Sequence, residues 1–172
     1  MKKNNWIYKV FLCTFLLSII FSTITNLVAY HSGLVIVFIN LLVVIGVGIL
    51  FDMIGTASLT ANETVFHAMS SQKIKGSKET INLLKNKSQV SNLCNDVIGD
   101  VCGIVSGGLG AVLAISISTM YKGNITIISV IVAAFISALT VGGKAIFKTI
   151  AIKKANKIIF MVGRFKNKLK LK

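Results

Sequence analysis

The sequence predicts an all-α integral membrane protein with four transmembrane helices and a basic amphipathic helix at the C-terminal end. Hydrophobic residues make up 54% of the 172 residues, and the mean hydropathy is +0.80. Only 14% of the residues are charged, whereas a soluble domain carries about 25%. Four apolar runs reach the roughly 18 residues from which a membrane-spanning helix is predicted.

The four predicted spans form two pairs, and a polar, lysine-rich segment separates the pairs. The first run follows a short basic start, which is also typical of a signal peptide. Its apolar stretch is long for a signal peptide and no A-x-A cleavage site follows, which favours an uncleaved helix. The spans are predicted at about 10–30, 34–58, 94–120 and 125–152, within a transmembrane domain of residues 1–152.

The polar segment 60–93 predicts a helical hairpin that lies against the membrane. Asn62 is a good N-cap for its first helix, Gly76 interrupts the pattern, and Ser77 is predicted to cap the second helix. Residues 153–172 predict a basic amphipathic helix, because apolar residues recur there at helical spacing among lysines and an arginine. Such a helix is suited to the headgroup region of an anionic leaflet, and a disordered basic tail is the alternative.

The distribution of positive charge predicts the orientation of the spans. Of the 19 basic residues, all except Lys122 lie in the start, the central segment, the end of the fourth span or the tail. Because basic residues accumulate on the cytoplasmic side, both termini and the hairpin are predicted to be cytoplasmic. A lysine-rich multi-pass chain of this kind fits a bacterial plasma membrane.

The net charge of +14 indicates anionic lipid headgroups as a partner rather than nucleic acid. The lysines cluster beside apolar spans, where lipid headgroups are the nearest anions. No interleaved pattern of aromatic and basic residues indicates a nucleic-acid interface. We therefore predict no nucleic-acid partner.

Four of the five acidic residues lie at or near the ends of apolar runs and are candidate functional residues. Asp52, near the end of the second span, is either an intramembrane carboxylate with a function or an interfacial residue that faces cytoplasmic water. Glu63 is placed to interact with a helix dipole. Asp96 and Asp100 are four residues apart and repel each other in an α-helix, which a cation, a lysine or a raised pKa would relieve.

Small residues recur at every fourth position in the third span, at Gly99, Gly103 and Gly107, with Ala111 continuing the row. This spacing lets helix backbones approach closely inside a membrane, where no hydrophobic force drives association. The row indicates helix packing rather than ligand binding. The partner is either another helix of the chain or a second copy, so we predict a homodimer.

No enzymatic activity is predicted. The sequence has no Ser/His/Asp set, no Cys/His pair and no phosphate-binding loop, and its two histidines lie in different segments. Cys13, Cys94 and Cys102 lack metal-ligand spacing and are predicted to be small apolar core residues.

Three short motifs follow the second span, open the third span and end the fourth span. They are residues 60–65 (TANETV), Gly99-Asp100 and residues 143–149 (GKAIFKT). Their order and spacing over residues 34–151 resemble the transmembrane domain of the CNNM/CorB/CorC magnesium and cobalt transporters. That domain carries an S-x-S-E-T-A-like motif, a helical hairpin, a G-N pattern and a G-E-x-x-P-K-T motif. The nucleotide-binding CBS pair of the family is not expected within these 172 residues.

The resemblance implies a divalent-cation site for Mg²⁺ or Co²⁺, and it also implies a homodimer. The oxygen ligands that it implies are Thr60, with Asn62 nearby, and Asp100, which suits a hard cation. The acidic residues near the spans add Asp52 as a further candidate ligand and Glu63 in support. Lys144 takes the position of the family's glutamate, and an ammonium group cannot ligate a metal. We expect Lys144 to pair with Asp100 or Asp52 instead. Two functions are therefore open: the chain binds or transports a cation, or it is a non-transporting scaffold or regulator in which Lys144 replaces the cation.

Overall fold

The computed structural model describes residues 2–31 and 33–170, and the regular structure in those residues is helical. The predicted C-terminal segment reaches residues 171 and 172, which lie outside the described residues. The elements are α1 (Lys2–His31), α2 (Leu34–Thr60), α3 (Glu63–Ser71), α4 (Ser77–Lys85), α5 (Lys87–Asn92), a π-helical segment (Leu93–Gly99), α6 (Asp100–Tyr121), α7 (Ile125–Lys153) and α8 (Ala155–Lys170).

Four helical stretches are long and apolar enough to cross a membrane, as the sequence predicts. The second and fourth candidate spans occupy the whole of α2 and α7. The third runs without a break through α5, the π-helical segment and α6. The candidate spans are Val10–Leu27, Leu34–Thr60, Lys87–Tyr121 and Ile125–Lys153.

The helix of the third candidate span begins at Lys87, within the segment 60–93 that the sequence assigns to the hairpin. The two hairpin helices are α3 and α4, which ends at Lys85. The polar residues of α5 precede the apolar run, and α5 packs against α2. The buried hydroxyl of Ser58 links the two helices by donating to the Gly55 carbonyl at 2.7 Å and to the Lys87 carbonyl at 3.4 Å.

The main hydrophobic core lies where α2, α6 and α7 pack against one another, with α1 covering part of α6. Gly48 brings α2 close to α6, since a Cβ at this position would lie 3.0 Å from the Cβ of Cys102. Gly110 of α6 likewise leaves room for Ile136 of α7, and Gly143 of α7 leaves room for Ile49 of α2. The buried residues of this core include Leu41, Val44, Ile45, Val101, Val105, Leu109 and Leu113.

The hairpin and α8 form a second small core at one end of the bundle. Phe66 of α3, Ile81 and Leu84 of α4, and Ile159 of α8 are buried together. The apolar stripe of α8 is divided. Ile159 lies in this core and Ala155 and Ile158 pack in a neighbouring cluster, whereas Phe165 and other apolar residues near the end of α8 are exposed.

The turn between α3 and α4 differs from the predicted one in its capping residue. Gly76, with φ of 94°, precedes α4, and Ser77 is already the first residue of that helix. A left-handed conformation favours glycine, and a Cβ at position 76 would also lie 2.7 Å from the Cγ of Arg164 in α8. Asn62 caps α3 as predicted, since its side chain accepts a hydrogen bond from the Thr64 N–H at 3.0 Å.

Candidate functional site

An ion pair joins the second and fourth candidate spans. Lys144 Nζ in α7 lies 3.7 Å from Asp52 Oδ1 in α2, and the two side chains are 30% and 16% exposed. At this separation the contact is an ion pair rather than a direct hydrogen bond. Of the two acidic partners expected for Lys144, the structure selects Asp52.

The pair lies at similar depths in the two helices that carry it. Asp52 is about 27 Å along α2 from Leu34, and Lys144 is about 28 Å along α7 from Ile125, at the usual rise per residue. The hydrocarbon layer of a bilayer is about 30 Å thick. If both spans start at one face of that layer, the pair lies just inside its opposite boundary, on the side that carries the hairpin.

The third span completes the surroundings of the pair through Asn95 and Gly99. Gly55, one turn beyond Asp52, touches the Asn95 amide so closely that a Cβ at position 55 would collide with it. Asn95 Nδ2 lies 3.3 Å from the hydroxyl oxygen of Ser91 and donates to it. Among the residues that the structure describes, none donates a hydrogen bond to the buried Asn95 Oδ1 atom. A Cβ at Gly99 would lie 3.8 Å from Lys144 Nζ.

The part of the third span that lies beside this site is the π-helical segment Leu93–Gly99. A π-helix has a wider turn than an α-helix. π-Helices are rare in proteins, and those that occur are frequently found at functional sites. Asp96 within the segment and Asp100 just after it are both exposed, and within residues 2–31 and 33–170 neither has an ion-pair partner. Exposure to solvent, rather than a cation or a lysine, therefore reduces the repulsion expected between Asp96 and Asp100.

The structure does not bring all the expected metal ligands together. Thr60 lies two turns beyond Asp52 in α2, about 12 Å along the helix axis, whereas oxygen ligands lie within about 2.6 Å of Mg²⁺ or Ca²⁺. The Thr60 hydroxyl donates to the Thr56 carbonyl at 3.0 Å. Among the residues that the structure describes, no group of three or more His, Cys, Asp and Glu side chains could hold a metal ion.

Asn62 and Glu63 have local structural partners. Asn62 Oδ1 accepts hydrogen bonds from the Thr64 N–H at 3.0 Å and from the Thr64 hydroxyl at 2.7 Å. The exposed Glu63 carboxylate lies 3.3 Å from Nε2 of His67, one turn along α3. Both residues therefore support the start of α3.

The glycine row of the third span is open to its surroundings. A Cβ at Gly103 or Gly107 would meet no atom of the described part of the chain within 4 Å, so packing there does not require these glycines. They line a groove between α6 and α7 with a volume of about 400 Å³, together with residues such as Ser137 and Thr140. Packing against a second copy stays a prediction for this face.

Sequence reasoning missed Asn95, Ser91 and Ser58 as parts of the polar interior. Asn95 stands between Cys94 and Asp96 at the start of an apolar run, and an uncharged amide in such a run is a signal that could have identified it. Comparisons with protein-family models, with curated proteins and with solved structures found no match to this chain.

Proposed function

We propose that the chain is a non-transporting membrane scaffold or regulator in which the Lys144 ammonium group takes the place of a bound divalent cation. The 3.7 Å contact between Lys144 Nζ and Asp52 Oδ1 carries this proposal. The resemblance to the CNNM/CorB/CorC transmembrane domain supports it, because Lys144 occupies the position of that family's motif glutamate.

Electrostatics favours the lysine over a metal ion at Asp52. A tethered ammonium group neutralises the carboxylate, and its positive charge repels an approaching divalent cation. A cation could bind only after the lysine had moved away, and the half-buried carboxylate would then need further oxygen ligands. The pair therefore stabilises the junction of α2 and α7 without metal.

A second candidate function is the binding or transport of Mg²⁺ or Co²⁺, and Asn95 favours it. The buried Asn95 Oδ1 atom has no donor within residues 2–31 and 33–170, and Asn95 contacts Gly55 one turn from Asp52. An amide oxygen and a carboxylate are suitable ligands for a hard cation. Under this alternative, Lys144 moves aside when the ion binds.

The thermal stability of the detergent-purified protein in Mg²⁺ or Co²⁺ tests the two functions. A ligand that binds only the folded state stabilises it by about 2.7 kcal/mol at a concentration 100-fold above Kd. We expect no shift for the wild type and a new shift for Lys144→Glu, with Lys144→Met as the uncharged control. A wild-type shift that Asp52→Asn abolishes would instead establish a cation site and overturn the proposal.

The proposal places the chain in the plasma membrane as a multi-pass protein, with both termini and the hairpin in the cytoplasm. The lysine distribution supports this orientation. A second copy of the chain is part of the proposal, with the open Gly103 and Gly107 face as its contact surface.

A further inference from the structure

A basic pocket lies where α2 ends and α8 begins, away from the Asp52–Lys144 pair. Its volume is about 360 Å³. Its lining consists of three lysines, two asparagines, a threonine and two apolar residues, so none of the described residues that line it is acidic. The polar ones are Thr60, Asn62, Lys153, Lys154, Asn156 and Lys157.

The pocket has a fixed framework and free donors. The Asn62 N–H donates to Asn156 Oδ1 at 2.8 Å, which ties the start of α3 to α8. This bond uses the amide oxygen of Asn156 and leaves its Nδ2 without a bond within residues 2–31 and 33–170. Lys153, Lys154 and Lys157 are exposed and make no ion pair there.

The pocket also lies at the depth of lipid phosphates. Thr60 is about 39 Å along α2 from Leu34, which is about 9 Å beyond a hydrocarbon layer of about 30 Å that starts at Leu34. The headgroup region occupies the next several ångströms of a bilayer. Basic pockets at this level, beside membrane-spanning helices, suit anionic headgroups.

We propose that this lysine pocket binds a phosphate group, which the headgroup of an anionic lipid or free inorganic phosphate could supply. Lysine binds phosphate as a point charge, and the Asn156 amide adds a neutral donor. The surplus of positive charge makes the pocket unsuitable for the divalent cation that Thr60 and Asn62 were expected to bind. The inference is independent of the function proposed for Lys144.

The first experiment compares anion binding by the purified full chain and by charge variants. The pocket variant is Lys153→Gln/Lys154→Gln/Lys157→Gln. Its control removes the same charge from exposed lysines outside the pocket, as Lys85→Gln/Lys87→Gln/Lys166→Gln. Native mass spectrometry and thermal shifts are measured with phosphatidylglycerol, with phosphatidylcholine and with inorganic phosphate.

We expect phosphatidylglycerol to bind and stabilise the wild type and the control variant, and phosphatidylcholine to do so only weakly. Each lysine near an anionic surface strengthens binding about fivefold, so the pocket variant should bind on the order of a hundredfold more weakly. The same pattern with inorganic phosphate would confirm the pocket and identify free phosphate as the ligand. Equal losses in the pocket and control variants, or no response of the wild type to either anion, would overturn the proposal.

A single substitution tests the pocket without the risk of misfolding. Asn156→Asp keeps the oxygen that accepts the Asn62 N–H but adds a negative charge beside the lysines. We expect it to weaken anion binding at least fivefold, whereas Asn82→Asp on the exposed face of α4 leaves binding unchanged. Unchanged binding by Asn156→Asp would contradict a phosphate site here.

Discussion

Lys144 has a long side chain, and the packing of α7 against α2 brings it to the Asp52 carboxylate. A Cβ at Gly99, the last residue of the π-helical segment, would lie 3.8 Å from Lys144 Nζ, while Asp100 is exposed. Sequence reasoning could identify Asp52 and Asp100 as the two candidate partners. It could not choose between them, because the choice depends on how the helices pack together.

The energetic coupling of Asp52 and Lys144 can be measured with a double-mutant cycle. Asp52→Asn and Lys144→Met each leave a half-buried charge unpaired, so we expect each to lower the free energy of unfolding by about 1–2 kcal/mol. The double variant leaves neither charge and should lose less than the sum of the two. Unfolding in mixed detergent micelles provides the free energies.

A pair of exposed residues supplies the control for this cycle. Asp96→Asn and Lys122→Met remove one acid and one base that have no ion-pair partner among the described residues. Their effects should be small and additive. Additive losses at Asp52 and Lys144 as well would show that the two charges do not interact.

Among the elements, α2 contains two glycines that look alike in sequence but have different surroundings. A Cβ at Gly55 would collide with Asn95, whereas a Cβ at Gly46 would meet nothing within 4 Å. Both glycines stand in the same apolar run of the sequence. Only the packing of the π-helical segment against α2 distinguishes them.

Alanine substitutions separate these two glycines. Gly55→Ala should lower the free energy of unfolding by about 1–3 kcal/mol because the Asn95 side chain and its helix must shift. Gly46→Ala should be neutral or stabilise by up to about 1 kcal/mol, since alanine favours the helix. Equal effects of the two substitutions would contradict the contact between α2 and the third span.

The buried cysteines allow the stability of the Gly55→Ala and Gly46→Ala variants to be measured. Cys94 and Cys102 are 7% and 2% exposed, so a thiol-reactive dye labels them only when the bundle opens. The assay uses a Cys13→Ser background, because Cys13 is exposed in the folded chain. The dye-labelling midpoint on heating then reports the stability of the third span.

For the molecule as a whole, the number of candidate spans could be predicted from hydropathy, but the packing of α3, α4 and α8 around the ends of those helices could not. The helices that carry the spans continue past the level of the Asp52–Lys144 pair, and α3, α4 and α8 pack around that extension. Polar residues in α5 end the apolar run, although tertiary contacts with α2 maintain the helix. The positions of Thr60 and Asn62 in a basic pocket follow from this packing, which the motif spacing does not encode.

The orientation of the chain can be tested with single cysteines in a background without the three native ones. Ser71→Cys lies at the end of α3 in the hairpin, and Tyr121→Cys lies at the turn before α7; both side chains are exposed. A membrane-impermeant maleimide should label Tyr121→Cys in intact cells, but Ser71→Cys only after permeabilisation. Labelling of both from the same side would refute the orientation inferred from the lysines.

The π-helical segment also affects how the sequence of the third span should be aligned with other sequences. A π-helical turn accommodates one residue more than an α-helical turn, as an inserted residue would require. If the same residues between Leu93 and Gly99 formed a regular α-helix instead, α6 would be rotated by about 100° relative to α5. Ser91 could then no longer face α2 while Val101 and Cys102 occupied the core. An alignment that treats this span as an uninterrupted α-helix would therefore match one half in register and place the other one residue out of register.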